Sequence, residues 1–272
     1  MSTDQDLVDR LDEVWTSLDA LGAELSEADW KLPTECPGWS VQDQLAHLAH
    51  IEGRLQGRPD PENEIPDDLP HIKNSFGAIN EVFVDSRRSW TGADVLTEFH
   101  EVTRERVKAL RALAPDEFGA DSWTPVGPGT VRDLLPFRIF DSWVHEQDMR
   151  RAVRRPGDLD SAVAEHSMGM MTGSMSFVVG KKVAPPEGSV VVFSLSGPLA
   201  RELVVGIVDG RGRVLESAPA SPTVRLAMTT ETFARLACGR IDPDVTLANG
   251  DVTIEGDETL GARVVAEMNY LF

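Results

Sequence analysis

Cysteine is scarce in this chain of 272 residues: only Cys36 and Cys238 occur, far apart in sequence. Two thiols cannot build the disulfide framework of a small secreted domain, so a reducing cytoplasmic home is expected. The opening residues, Met1-Ser2-Thr3-Asp4-Gln5-Asp6, lack the basic start and apolar stretch of a signal peptide. No window approaches the ~20 apolar residues that a membrane span needs. Positive charge is also short, with 26 Lys and Arg against 45 Asp and Glu, a formal net charge of −19. Such a surface repels phosphate backbones and anionic lipid, and no basic run offsets it, so neither nucleic acid nor membrane is expected as a partner. A Walker-type glycine loop and a Gly-x-Ser-x-Gly elbow are both missing, which excludes phosphate-loop enzymes and the usual serine esterases. Asp242-Pro243-Asp244 with Asn249-Gly250-Asp251 is acidic but fails the spacing of an EF-hand loop. There is neither an internal repeat nor a low-complexity tract.

What is present reads as a globular chain able to bury a core, with 41% hydrophobic and 26% charged residues. Arginine far outnumbers lysine, as in a GC-rich genome. Leu7, Leu11, Val14, Trp15, Leu18 and Leu21 recur at helical spacing along one face. After a turn at Cys36-Pro37-Gly38-Trp39, Ser40 caps a second helix, Val41 to about Leu55, with Asp43 near its positive end. A loop rich in proline and acid, Arg58 to Pro70, precedes a third helix around Phe76, Ile79 and Phe83. A fourth spans Ala93 to Leu113. A Gly/Pro loop at 125–129 leads to a last bundle helix, capped by Thr130 and running to about Val153, where Pro136 predicts a kink or a late start. Such helices form an antiparallel bundle. After about residue 185 the pattern changes. Val190–Leu195, Glu202–Ile207, Val224–Met228 and Asp251–Gly256 read as strands, and helices follow Thr229 and Glu258. The expected organisation is α+β: a helical bundle over 1–157, a helical connection over 158–185 and an α+β domain over 186–272.

The sharpest chemical feature is Asp141-Ser142-Trp143-Val144-His145, because positions four apart share one helix face and a carboxylate and imidazole there can grip one ion. Spacing alone is weak, since such pairs also arise by chance. His47 falls at the edge of its helix's apolar stripe, either a satisfied core histidine or a ligand. His50 points to the opposite side and is read as a solvated surface histidine. Glu52 lies within the stripe, either a partner that orients a ligand or, the preferred reading, an exposed helix end. Asp148 either receives a ligand histidine's second N–H or joins the metal, or else forms a surface pair with Arg151. Cys36 could be a ligand or a nucleophile but reads first as a small buried hydrophobe, and Cys238 reads as core.

Cys36-Pro37-Gly38-Trp39-Ser40-Val41 with Gln44-Leu45-Ala46-His47-Leu48-Ala49, and Phe140-Asp141-Ser142-Trp143-Val144-His145-Glu146-Gln147-Asp148, resemble the two metal motifs of the mycothiol-dependent maleylpyruvate isomerase family. Thr230–Arg240 and Gly250–Asp257 resemble the sterol-carrier-like domain often fused to that bundle. The resemblance implies a DinB-like antiparallel four-helix bundle followed by a sterol-carrier-like α+β domain. It implies one divalent metal, zinc by ligand type, held by His47, Asp141 and His145, where the isomerase has Glu at the Asp141 position. It also implies mycothiol, a low-molecular-weight thiol of actinobacteria, as co-substrate for isomerisation of a small electrophile or S-transfer to it. An arginine of the C-terminal domain assists catalysis in the isomerase; Arg240 is the candidate here, against a reading as a solvated turn residue behind Gly239. Two alternatives stand beside this expectation: a non-catalytic metal-containing protein that binds a small molecule, and a metal-dependent hydrolase that uses no thiol.

Overall fold

In a computed structural model, which describes residues 3–66 and 68–271, the chain divides into two compact units, one ending at His166 and the other beginning at Ser167. The first unit is helical. α1 (Asp4–Ala23) is followed by the short α2 (Glu27–Trp30), then α3 (Val41–Leu55), α4 (Ser75–Asp85), α5 (Gly92–Arg111) and α6 (Val131–Ala152). Each long helix starts where its sequence supplies a cap. Thr3, Ser40 and Thr130 accept from the backbone N–H of Asp6, Asp43 and Asp133, and each of those aspartates accepts back from the cap residue's N–H.

α1 packs on α5 and α6, and α3 packs on the same two helices, which closes a four-helix bundle; α4 lies against α3. Leu7, Leu11, Val14, Trp15, Leu18 and Leu21 of α1 are buried, as the helical period requires. Polar cross-links also enter this core: Trp15 Nε1 donates to Ser142 Oγ at 3.0 Å, both side chains buried. Pro136 delays nothing, because α6 is helical from Val131 and runs through the proline. The segment read as a plain loop at 125–129 is instead the tip of a hairpin, β1 (Asp121–Thr124) paired antiparallel with β2 (Gly127–Thr130). Its polar, glycine-rich strands carry no alternating apolar pattern to reveal it.

The region 158–185 contains α7 (Ala162–Phe177) and a π-helical turn, Val178–Val183. The second unit is built on one five-stranded sheet in the order β5-β4-β3-β6-β7. The strands are β3 (Val190–Ser196), β4 (Arg201–Val208), β5 (Arg211–Leu215), β6 (Val224–Thr229) and β7 (Thr253–Gly256), and the helices α8 (Thr230–Ala237), α9 (Pro243–Ala248) and α10 (Glu258–Glu267). β3 and β6 run parallel and the other pairs antiparallel. Val191, Val192 and Phe193 of central β3 are all fully buried, as a continuous apolar run on a strand covered on both faces should be. β5 escapes sequence reasoning because it is a half-exposed edge strand rich in arginine. Its Gly212 is required by packing: a Cβ there would lie 2.1 Å from Ser176 O. Among the described residues, no helix is long and apolar enough to cross a membrane.

All six tryptophans fall between Trp15 and Trp143, so indole fluorescence reports on the first unit alone. Leu45 of α3 is fully buried, and Leu45→Ala is expected to lower that unit's unfolding free energy by about 2–5 kcal/mol. The check is a urea titration followed by tryptophan emission, in which the midpoint should fall with little change of slope.

Candidate metal centre

α3 and α6 are buried around most of their circumference although both carry many polar side chains. Gln42, Asp43, Gln44, His47, His50 and Glu52 on α3, and Arg138, Ser142, His145, Glu146, Gln147 and Asp148 on α6, are all buried. A buried polar group without a partner costs about 1–3 kcal/mol, so each must find one. Those partnerships build the site.

The chain of bonds begins at the turn before α3. Thr34 donates its hydroxyl to Trp39 O at 2.8 Å. Gln44 Nε2 in turn donates to Thr34 Oγ1 at 2.7 Å. With its amide turned that way, Gln44 presents Oε1 to His145, whose Nδ1–H donates to it. A neutral imidazole carries one ring hydrogen, so this bond leaves a lone pair on His145 Nε2. That nitrogen lies 3.4 Å from Asp141 Oδ1, one helical turn back. Two acceptors at that distance repel unless a cation sits with them, either a second ring proton or a metal ion.

His47 reaches the same carboxylate from α3, with Nε2 3.3 Å from Asp141 Oδ2. Burial lowers the His47 pKa to about 4, against the pull of Asp141, so the ring is neutral at pH 7 and can offer a lone pair. Its Nδ1 is buried and has no hydrogen-bond partner. Burial pushes the Asp141 carboxyl up, but Arg138 and the two histidines outweigh it and hold the group well below the usual carboxylate range. One donor atom each from His47, Asp141 and His145 lies within 4.8 Å of the others. His47 Nε2 faces Asp141 Oδ2 and His145 Nε2 faces Oδ1, so the carboxylate stands between the two imidazoles with donor atoms near enough to share one ion. The residues present therefore fit a divalent ion. Three protein donors of this kind would leave a coordination position for a non-protein ligand.

Trp39 covers the two imidazoles. Its ring centroid is 5.8 Å from that of His145, stacked at 29°, and 5.2 Å from that of His47. Glu81 of α4 aims the indole by accepting from Nε1 at 2.9 Å. The same buried carboxylate takes His71 Nε2 at 2.9 Å and pairs with Arg88 Nη1 at 2.6 Å. Burial raises the Glu81 pKa, and these three partners more than reverse it. The turn that delivers Trp39 needs Gly38, which has φ +81° and packs against the His71 ring.

Two residues differ from the sequence reading. His50 is buried, not solvated: its ring stacks on Phe83 with centroids 3.7 Å apart and Nε2 pairs with Asp60 Oδ1 at 3.1 Å. α4 and the acidic loop supply the cover that helical periodicity alone could not show. Glu52 is not an exposed helix end but fully buried, paired with Arg138 Nε at 2.6 Å. Asp148 is fully buried and holds Arg151 Nη2 at 2.6 Å while lying 3.8 Å from His145 Nδ1. Arg240 belongs to the second unit, just past α8, where Nη1 donates to Cys238 O at 3.0 Å. Cys238 is buried beside Met171 and Cys36 is half-buried. Sequence reasoning passed over Arg138, which stands three residues before Asp141 on the same helix, the spacing of an orienting neighbour, and Gln44, whose partner His145 lies on another helix where spacing cannot show it.

The family model for the mycothiol maleylpyruvate isomerase N-terminal domain matches residues 11–150, and that for the C-terminal domain of the same isomerase matches residues 165–263. The chain belongs to the mycothiol-dependent maleylpyruvate isomerase family. The solved structure of mycothiol-dependent maleylpyruvate isomerase is similar in fold, with TM-score 0.58, 15% identity, and 94% of this chain and 96% of that chain covered. A histidine-to-alanine mutant of a mycothiol-dependent maleylpyruvate isomerase gives the same TM-score of 0.58 at 14% identity, with the same coverage. A protein of Mycobacterium tuberculosis called only an uncharacterized protein is 27% identical over 204 residues, covering 74% of this chain and 77% of the relative.

Elemental analysis of untagged protein purified without chelator is expected to find about one divalent ion per chain. His47→Ala and His145→Ala should each lose most of it. Full metal content in both variants would remove the assignment of these residues as ligands.

Proposed function

We propose that this chain is a zinc-dependent enzyme that uses mycothiol to isomerise, or to transfer sulfur to, a small electrophilic substrate. The observation that carries the reading is the convergence of one donor atom each from His47, Asp141 and His145 within 4.8 Å, with His145 Nδ1 tied to Gln44 Oε1. When bound, the ion favours the thiolate form of a small thiol at neutral pH. The chain's own residues hold the geometry. Gln44 fixes the ring of His145, and the indole of Trp39 limits rotation of both imidazoles. Family membership supplies the thiol and the first electrophile to try, maleylpyruvate, the substrate in the name of the structurally similar isomerase. Arg240 is assigned within this reading to hold an anionic group of the substrate, which guanidinium does by charge-assisted hydrogen bonds.

The test is turnover of maleylpyruvate and related unsaturated electrophiles by the full chain with mycothiol and zinc, each omitted in turn. Conversion is expected only when both are present, and chelation should abolish it. Arg240→Ala should lower the rate while metal content stays unchanged. Equal turnover without any thiol would contradict the reading and favour hydrolysis by the metal centre.

A further inference from the structure

Arg138 stands one turn before Asp141 on α6 and is itself buried. Its Nη1 donates to Asp141 Oδ2 at 2.7 Å, and its Nε donates to Glu52 Oε1 at 2.6 Å. Glu52 comes from α3, the helix that carries His47, and its second oxygen lies 3.6 Å from Arg106 Nε of α5. A line of alternating charge thus runs inward from the candidate metal ligand: carboxylate, guanidinium, carboxylate, guanidinium. An arginine in this place is costly by itself, because its positive charge faces the ion that the three donors would hold. Glu52 offsets that charge and, being fully buried, cannot swing away into water.

We propose that Arg138, braced by Glu52, is the positioning residue of the metal centre: it ties one oxygen of Asp141 and so makes the aspartate a single-oxygen ligand. This rests on the metal-dependent reading above. A carboxylate can clamp an ion with both oxygens only if both are turned toward it. Arg138 holds Oδ2 in a charge-assisted bond and competes for its lone pairs. A bound ion would then be held by two imidazoles and one carboxylate oxygen, and the position a second carboxylate oxygen could take would be open to an exogenous ligand. Glu52 acts through Arg138 by fixing the direction of the guanidinium and cancelling its charge. Partners of this kind commonly change metal affinity by roughly 10–100-fold.

The experiment compares wild type, Arg138→Met, Arg138→Lys, Glu52→Gln and the double variant Glu52→Gln/Arg138→Met in the full chain. Zinc affinity is read by competition with a chromogenic chelator, and coordination by the visible spectrum of the cobalt(II)-substituted protein. Glu52→Gln should weaken zinc binding by roughly 10-fold or more, since it leaves the Arg138 charge uncompensated. In the Arg138→Met background the same change should cost much less. Arg138→Met should weaken the cobalt absorption, as a clamping Asp141 raises the coordination number, and Arg138→Lys should restore part of it. Should Arg138→Met fail to fold, Glu52→Gln decides, because it keeps the side chain's shape. Wild-type protein that binds neither zinc nor cobalt would overturn the metal-dependent reading and this inference with it. Wild-type binding with unaltered affinity in Glu52→Gln, or an unaltered cobalt spectrum in Arg138→Met, would overturn this inference alone.

Discussion

Hydrogen bonding in the bundle interior is the constraint on which the rest depends. α3 and α6 carry the candidate ligands, and both are enclosed by other helices while displaying amides, imidazoles, carboxylates and a guanidinium. A bundle sealed only by aliphatic packing would expel such groups. Here each is retained because a partner stands opposite: Gln42 donates to Arg87 O, Gln44 joins Thr34 to His145, His50 meets Asp60, and Glu52 meets Arg138. The same network that lets the polar helices stay buried also fixes the rotamers of His145 and Asp141. Stability and site geometry are thus one problem in this unit, solved by one set of bonds.

The direction of the hydrogen bonds matters as much as their number. Thr34 gives its proton to Trp39 O and so receives one from Gln44, and Gln44 accepts one from His145. Followed outward from the turn at Trp39, these bonds commit His145 Nδ1 to Gln44 and turn Nε2 toward Asp141. His47 contrasts with this, since its Nδ1 has no partner and the ring is held by packing against Trp39 and by Asp141. The two histidines are therefore held differently: His145 by Gln44 at Nδ1, and His47 by Asp141 at Nε2 and by packing against Trp39.

Much of this was legible in the sequence, for reasons that differ by element. The capping residues Ser40 and Thr130 and the 3.6-residue period mark the start of α3 and α6 to the residue, because both signals are local. The strands β3 and β4 announce themselves as apolar runs. The hairpin β1–β2 and edge strand β5 do not, since their register comes from a partner strand and not from their own pattern. Asp141 and His145 share a helix, so their meeting can be read from spacing. Joining His47 to them requires the packing of α3 on α6, which periodicity does not give and family resemblance does. Placing His50 on the surface and Glu52 at a helix end fails for one reason: a helical wheel shows a side chain's direction but not what the rest of the chain lays over it.

Anomalous diffraction tests most directly whether His47, Asp141 and His145 surround a metal ion. Crystals of untagged protein, grown with zinc and without chelator, would be measured on both sides of the zinc absorption edge. A peak is expected only above the edge, about 2.0–2.1 Å from a nitrogen of each imidazole and from one oxygen of Asp141. No peak at these three side chains, or one held by other residues, would contradict it.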